Sequence, residues 1–149
     1  MPDSAAPAPY VTAEGFNRAI RAYPWFGQWI GIEATEITAR GARVRLDVKP
    51  EFLRHDGTVA GPIVMAMADV AMYAAIMGAV AEGERAVTAD MTLHFMRRPA
   101  GSVLTAEARI LRQGKRSVVC AVDVFVDGPG ESASDSVCHV VGTYALPGA

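Results

Sequence analysis

Between Gly61 and Ala81 the chain reads GPIVMAMADVAMYAAIMGAVA, apolar or small at every position except one carboxylate, Asp69. Length and dense Ala and Met content favour a helix, and Gly61-Pro62 supplies a proline suited to its first position. Apolar residues lie on every side of this helix rather than along one stripe, so it calls for enclosure. At about 1.5 Å per residue it is roughly 30 Å long, which also meets the length of a membrane span. A central aspartate costs about 3 kcal/mol on insertion scales, and no basic cluster flanks the stretch to set an orientation. Close wrapping by a sheet, without a membrane, is the reading adopted.

The rest of the chain fits that reading. Its 149 residues suit one domain with a real core, assigned to residues 12–149, behind a disordered tail over residues 1–11 that has neither the basic end nor the apolar core of a signal peptide. A formal net charge of −2 gives no basic surface for nucleic acid. Cys120 and Cys138 both lie in apolar, strand-like segments and read as small buried hydrophobes of a reducing, cytosolic compartment.

Thr12 to Ala22 carries an N-cap candidate in Thr12 and apolar residues at helical spacing, Phe16, Ala19 and Ile20. The aromatic cluster Tyr23, Trp25, Phe26 and Trp29 follows Pro24, and either lines a pocket or caps one end of the core. Residues 32–38 and 42–48 read as a hairpin with one wet face, and 50–59 as the loop feeding the long helix. A strand over 86–96 alternates Val87, Ala89, Met91, Leu93 and Phe95 against Thr88, Asp90, Thr92 and His94. Three more strands follow, over 103–111, 117–126 and 136–146, separated by RQGKR at 112–116 and by a polar run at 127–135. Strands joined by short turns imply an antiparallel sheet, and a fully apolar helix needs that sheet to curl around it. The expected class is α+β: a hotdog arrangement of about six strands around one long helix.

The segment RHDGTVAGPIVMAMADVAMYAAI resembles, in register and without gaps, the signature N-x-x-G-x-x-H-G-G-x-x-x-x-L-A-D of hotdog-fold acyl-CoA thioesterases of the phenylacetic-acid-degradation and 4-hydroxybenzoyl-CoA type. Gly57, Gly61, Met67, Ala68 and Asp69 stand at the pattern's first Gly, second Gly, Leu, Ala and Asp. Arg54 replaces its Asn, Ala60 its His and Pro62 its last Gly. The stretch VTADMTLHFMRRPAG looks like the family's next strand, with Thr88 where a Ser or Thr often faces the scissile bond. The resemblance implies an acyl-CoA thioesterase without a cofactor beyond the CoA of its substrate, acting as a dimer or pair of dimers in which the Thr88 strand pairs with its copy.

The residues themselves bear on that chemistry. Unpaired amides and the helix dipole make Gly61 a donor for a thioester oxygen, and Pro62 leaves the amides of Gly61, Ile63 and Val64 in place. Asp69, set among Met67, Ala68, Val70 and Met72, is either a poised base or nucleophile, or a structural carboxylate satisfied by a nearby hydroxyl or amide. Gly61 and Asp69 are separated by about 12 Å of helix, too far to serve one carbonyl, so if both are catalytic they come from different subunits. Arg97, Arg98, Arg112, Lys115 and Arg116 sit at two breaks in the sheet, where guanidinium groups can grip phosphates or merely face solvent. His55 is a loop residue in solvent or a stand-in for the motif histidine, and no spacing among His55, His94 and His139 suggests a metal. Trp25, Phe26, Trp29, Met65, Met72 and Tyr73 permit an aryl or short- to medium-chain acyl pocket. The expected set is therefore Asp69, Gly61 and Thr88 for catalysis, with Arg54, His55, Ala60, Pro62, Tyr73, Arg97, Arg98 and Arg116 toward substrate. Competing readings are an acyl-CoA binder without turnover and a hotdog hydratase, which would want a histidine paired with an acid facing the acyl chain.

Overall fold

The computed structural model describes residues 5–128 and 135–148. Helix α1 (Ala13–Ile20) begins where extended Thr12 accepts the Gly15 amide on its Oγ1 at 3.1 Å, and a π-helical turn (Pro24–Ile30) follows it. Strands β1 (Glu33–Ile37) and β2 (Gly41–Asp47) form the expected hairpin, its turn held by Thr38 Oγ1, which accepts from the amides of Arg40 and Gly41. Helix α2 (Gly61–Ala79) is followed by β3 (Val87–Phe95), β4 (Val103–Gln113), β5 (Ser117–Val126) and β6 (Cys138–Ala145). The six strands make one antiparallel sheet in the order β1-β2-β4-β5-β6-β3, curled around α2 in the hotdog arrangement.

The core lies between α2 and the inner face of the sheet. Val64, Met67, Ala71, Met72 and Ile76 of α2 share a buried cluster with Val44 and Leu46 of β2, Leu104 of β4 and Val122 of β5. Close approach is built in at Gly142 of β6, where a Cβ would stand 2.7 Å from Met72 Sδ and 3.0 Å from the Asp90 carbonyl oxygen. Although α2 is long and apolar enough to cross a membrane, most of it is buried inside the structure.

Two expectations change in detail. The helix ends at Ala79, because Val80 is already extended and Glu82 turns left-handed at φ 58°. Nor is it enclosed on every side: Gly61, Met65, Asp69, Tyr73 and Met77, each four residues from the next, form an inclined row left partly open. The sheet bends over the rest of the helix, and β3, its last strand, stops at the boundary of that row. Cys120 and Cys138 are buried, free and on different rungs of β5–β6, opposite Gly142 and Val124; burial pushes both thiols up to about 11. The polar run expected at 127–135 falls mostly outside the described residues.

Candidate active site

Asp69 lies midway along the open row of α2, half-buried rather than enclosed. Its Oδ1 accepts two hydroxyls, Thr88 Oγ1 at 2.8 Å and the Tyr144 phenol at 2.5 Å. The same phenol also reaches the Asp69 backbone carbonyl at 3.1 Å. Oδ2 has no protein partner among the described residues, and no buried side-chain oxygen or nitrogen there is left unpaired, so Oδ2 is open to solvent. One carboxylate oxygen is thus held and the other is available for chemistry. Beside it is a cavity of about 280 Å³ with largely apolar walls, to which Ile20, Tyr23, Val70, Tyr73, Ala86 and Val87 contribute together with the three polar residues.

Thr88 reaches Asp69 because of a β-bulge. Thr88 pairs with Tyr144 and Asp90 with Thr143, leaving Ala89 as an extra residue. Beyond it the register continues with Met91 opposite Gly142 and Leu93 opposite Val140, residues of the inward face. Simple alternation puts Thr88 on the face opposite Met91; the bulge shifts the phase by one and turns both toward α2. Tyr144, which sequence reasoning missed, is 4% exposed, and its ring stacks on Tyr73 at 6.3 Å and 16°. Burial, then the Asp69 charge, drives its pKa far above the usual phenol range, so it remains a neutral donor. A tyrosine at an inward position of a strand, whose hydroxyl must find a partner, was the available signal. Tyr73 donates to the Glu84 carbonyl at 2.9 Å and meets Phe16 edge-on. Burial raises its pKa as well, with the charges of Tyr23 and Glu84 adding to the effect.

Gly61 belongs to a different cavity. At the α2 N-terminus, Ala60 caps only through its backbone: its amide donates to the Phe52 carbonyl and its carbonyl accepts from Ile63 and Val64. The Gly61 amide has no partner among the described residues. A Cβ here would meet nothing closer than Phe95, at 3.9 Å, so the chain itself leaves room for a side chain. The adjoining cleft, about 530 Å³, is lined by Arg54, Asp56, Gly61, Phe95, Arg97 and Arg98 among others. Asp56 accepts from the hydroxyl and amide of Thr58 and from Arg98 Nη2 at 2.9 Å; chiefly the Thr58 hydroxyl lowers its pKa to about 2. His55 and Pro62 are exposed at the surface nearby.

Arg116 is at the other end of the sheet. Its carbonyl accepts the Leu146 amide beyond Ala145, which pairs with Val87, whereas Arg97 and Arg98 follow Phe95, which pairs with Cys138. Within one chain, Arg98 therefore accompanies Gly61, and Arg116 accompanies Asp69. Of the aromatic candidates, Trp29 packs edge-on against Phe52, away from the Asp69 cavity; the side chains of Trp25 and Phe26 lie outside the described residues. On the sheet face turned away from α2, buried Asp123 takes Arg109 at 3.1 Å and His139 at 2.7 Å, a polar cluster belonging to neither cavity. No grouping suited to a metal occurs among the described residues.

The matching family model is that of the thioesterase superfamily, over residues 56–133. A Mycobacterium tuberculosis relative named "Putative esterase Rv1847" is 30% identical over 105 residues, covering 68% of this chain and 75% of its own length. Among solved structures, one from Silicibacter sp. TM1040 titled "a putative thioesterase" shares 29% identity and 94% of each chain at TM-score 0.80. The PaaI protein of the E. coli phenylacetic acid degradation operon, 21% identical, superimposes over 91% of this chain and 94% of its own at TM-score 0.75, a likeness of fold. With a family model matched over more than half its length, the chain belongs to the thioesterase superfamily.

Proposed function

We propose that this protein is an acyl-CoA thioesterase that hydrolyses an aryl or short- to medium-chain acyl-CoA to the free acid and CoA, with active sites shared between subunits of a dimer or of a pair of dimers. The observation that carries the reading is the Asp69 carboxylate: Oδ1 is bound by Thr88 and Tyr144, and Oδ2 is open beside an apolar cavity. A carboxylate so held is oriented for one task at its other oxygen. Metal and cofactor play no part in the proposal.

The direction of α2 against β3 supports this subunit arrangement. Gly61 stands by Phe95 and Asp69 by Thr88, so helix and strand run antiparallel. Strand β3 is an edge of the sheet with Val87 62% and Phe95 49% exposed, and an uncovered edge is a template for pairing. Two β3 strands paired antiparallel about a two-fold would bring the Phe95 end of one copy to the Thr88 end of the other. Gly61 of one subunit would then approach Asp69 of the other, and Arg98 of the first would join Arg116 of the second at one site. Met65 and Met96, nearly half exposed, would be covered.

In the reaction, the Gly61 amide donates to the thioester oxygen as it gains negative charge. Asp69 Oδ2 either takes a proton from the attacking water or attacks the carbonyl carbon itself, giving a mixed anhydride that water then opens. The C–S bond breaks and the sulfur leaves as a thiolate that takes up a proton. Thr88 and Tyr144 hold the carboxylate rather than the water. Thiol release from a panel of acyl-CoAs, with Asp69→Asn alongside wild type, tests the proposal. Turnover lost in the variant is expected; binding of acyl-CoA with no turnover by wild type would overturn it.

A further inference from the structure

The cavity beside Asp69 has a far end, and it is built by the last residue of α1 and the turn that follows it. Asp69 to Tyr73 is one helical turn, roughly 6 Å. Helix α1 reaches the cavity at that next turn: Phe16 meets the Tyr73 ring edge-on at 5.9 Å, and Ile20 and Tyr23 form part of the lining. The polar groups of the site, Thr88 and Tyr144, are at the Asp69 end. An acyl group whose carbonyl carbon faces Asp69 would therefore run toward Ile20 and Tyr23.

That end wall is anchored. The Asn17 side-chain amide binds the backbone of Ala34 both ways, donating to its carbonyl at 2.9 Å and accepting from its amide at 2.7 Å. This fixes α1 along the β1 edge of the sheet and caps that edge in place of another strand. Ile20 is buried, and the Tyr23 amide donates to the Ile20 carbonyl at 2.9 Å, holding the two in one turn. On the opposite wall, Tyr73 is fixed by its hydroxyl at Glu84 and its stack on Tyr144.

We infer that Ile20 and Tyr23 are the chain-length stop of the acyl cavity, limiting substrates to acyl groups that end at this wall. Octanoyl and phenylacetyl groups are the test of that size; palmitoyl is almost twice as large. The inference rests on the hydrolase reading above and adds the residues that set its range. Because Tyr23 is 52% exposed, its truncation leaves the core intact, whereas Ile20 is buried and Ile20→Ala risks the fold.

The experiment compares kcat/KM for acetyl-, octanoyl-, phenylacetyl- and palmitoyl-CoA in wild type, Tyr23→Ala and Ile20→Val. Wild type is expected to lose at least 100-fold between octanoyl- and palmitoyl-CoA, as an estimate of order 2.7 kcal/mol at 1.36 kcal/mol per tenfold, roughly the burial of three or four methylenes. Tyr23→Ala should narrow that gap to about tenfold or less, and Ile20→Val should shift it the same way by a smaller factor. An equal rate on palmitoyl- and octanoyl-CoA in wild type, or a gap unchanged in both variants, overturns the stop while leaving hydrolysis standing. No turnover of any acyl-CoA by wild type overturns both.

Discussion

Tyr144→Phe isolates the part of the site that holds Asp69. Phenylalanine keeps the ring, its buried position and its stack on Tyr73, and removes only the hydroxyl that donates to Asp69 Oδ1 and to the Asp69 carbonyl. A hydrogen bond to a charged group contributes about 1.5–3 kcal/mol when its partner has no substitute. Here Thr88 still donates to the same oxygen and Asp69 is half-buried, so water can take part of the vacancy and the loss falls to about 1–2 kcal/mol. Spent on orienting the carboxylate, that is roughly a 5- to 30-fold fall in kcat/KM, carried by kcat because Tyr144 does not bind CoA. Stability should change by no more than that same amount, since no buried donor is left unpaired by the exchange. Both donors share one oxygen, so adding Thr88→Ala should cost more than the sum of the single losses. Steady-state kinetics on the best acyl-CoA, with thermal unfolding as the control, provide the measurement. A folded Tyr144→Phe enzyme within twofold of wild type would refute the idea that a fixed Oδ1 is what readies Oδ2.

Other outcomes follow from the same geometry. Gly61→Ala should fold normally, as the nearest atom to the new Cβ is 3.9 Å away, yet lose about 100-fold in kcat/KM by holding the carbonyl off the backbone amide; unaltered kinetics would remove Gly61 from the site. Arg98→Ala combined with Arg116→Ala should raise KM for acyl-CoA with kcat little changed, and an unchanged KM would reject phosphate binding by this pair. Gly142→Ala should destabilise by about 1–3 kcal/mol, because its Cβ collides with Met72 and the Asp90 carbonyl; chemical denaturation measures it. In pH titrations of unfolding, Asp56, lowered from 3.8 to about 2, contributes stability that is present above pH 3.8 and lost as pH falls toward 2, so Asp56→Asn should flatten the acid limb. Tyr144 acts in the opposite direction: its folded pKa is raised, so stability drops above pH 10 as the unfolded chain ionises, and Tyr144→Phe should soften that fall.

The α2 sequence announced both the fold and the carboxylate, because a helix apolar on nearly every side needs a sheet around it and an isolated charge within it needs a reason. The strand spacing on either side pointed to an antiparallel sheet curled around the helix, and the motif register placed Gly61 at the helix start and Asp69 two turns on. What was not legible was the open row Gly61, Met65, Asp69, Tyr73 and Met77, since Met and Tyr look as apolar as the residues that are buried. Of the partners of Asp69, Thr88 came only from the family resemblance, and Tyr144 was hidden. Tyr144 is 75 residues away in sequence, and Thr88 by alternation pointed to the wrong face until the bulge at Ala89 reversed its phase.

The chain by itself therefore determined a long core helix, its antiparallel wrapping, the one carboxylate within it and the distance of that carboxylate from Gly61, all of which are local in sequence and follow from periodicity and composition. Tertiary structure alone decided which face of α2 stays open and which two hydroxyls meet Asp69 Oδ1. Those facts depend on strand order, on one extra residue in β3 and on how far the sheet curls, none of which local spacing encodes.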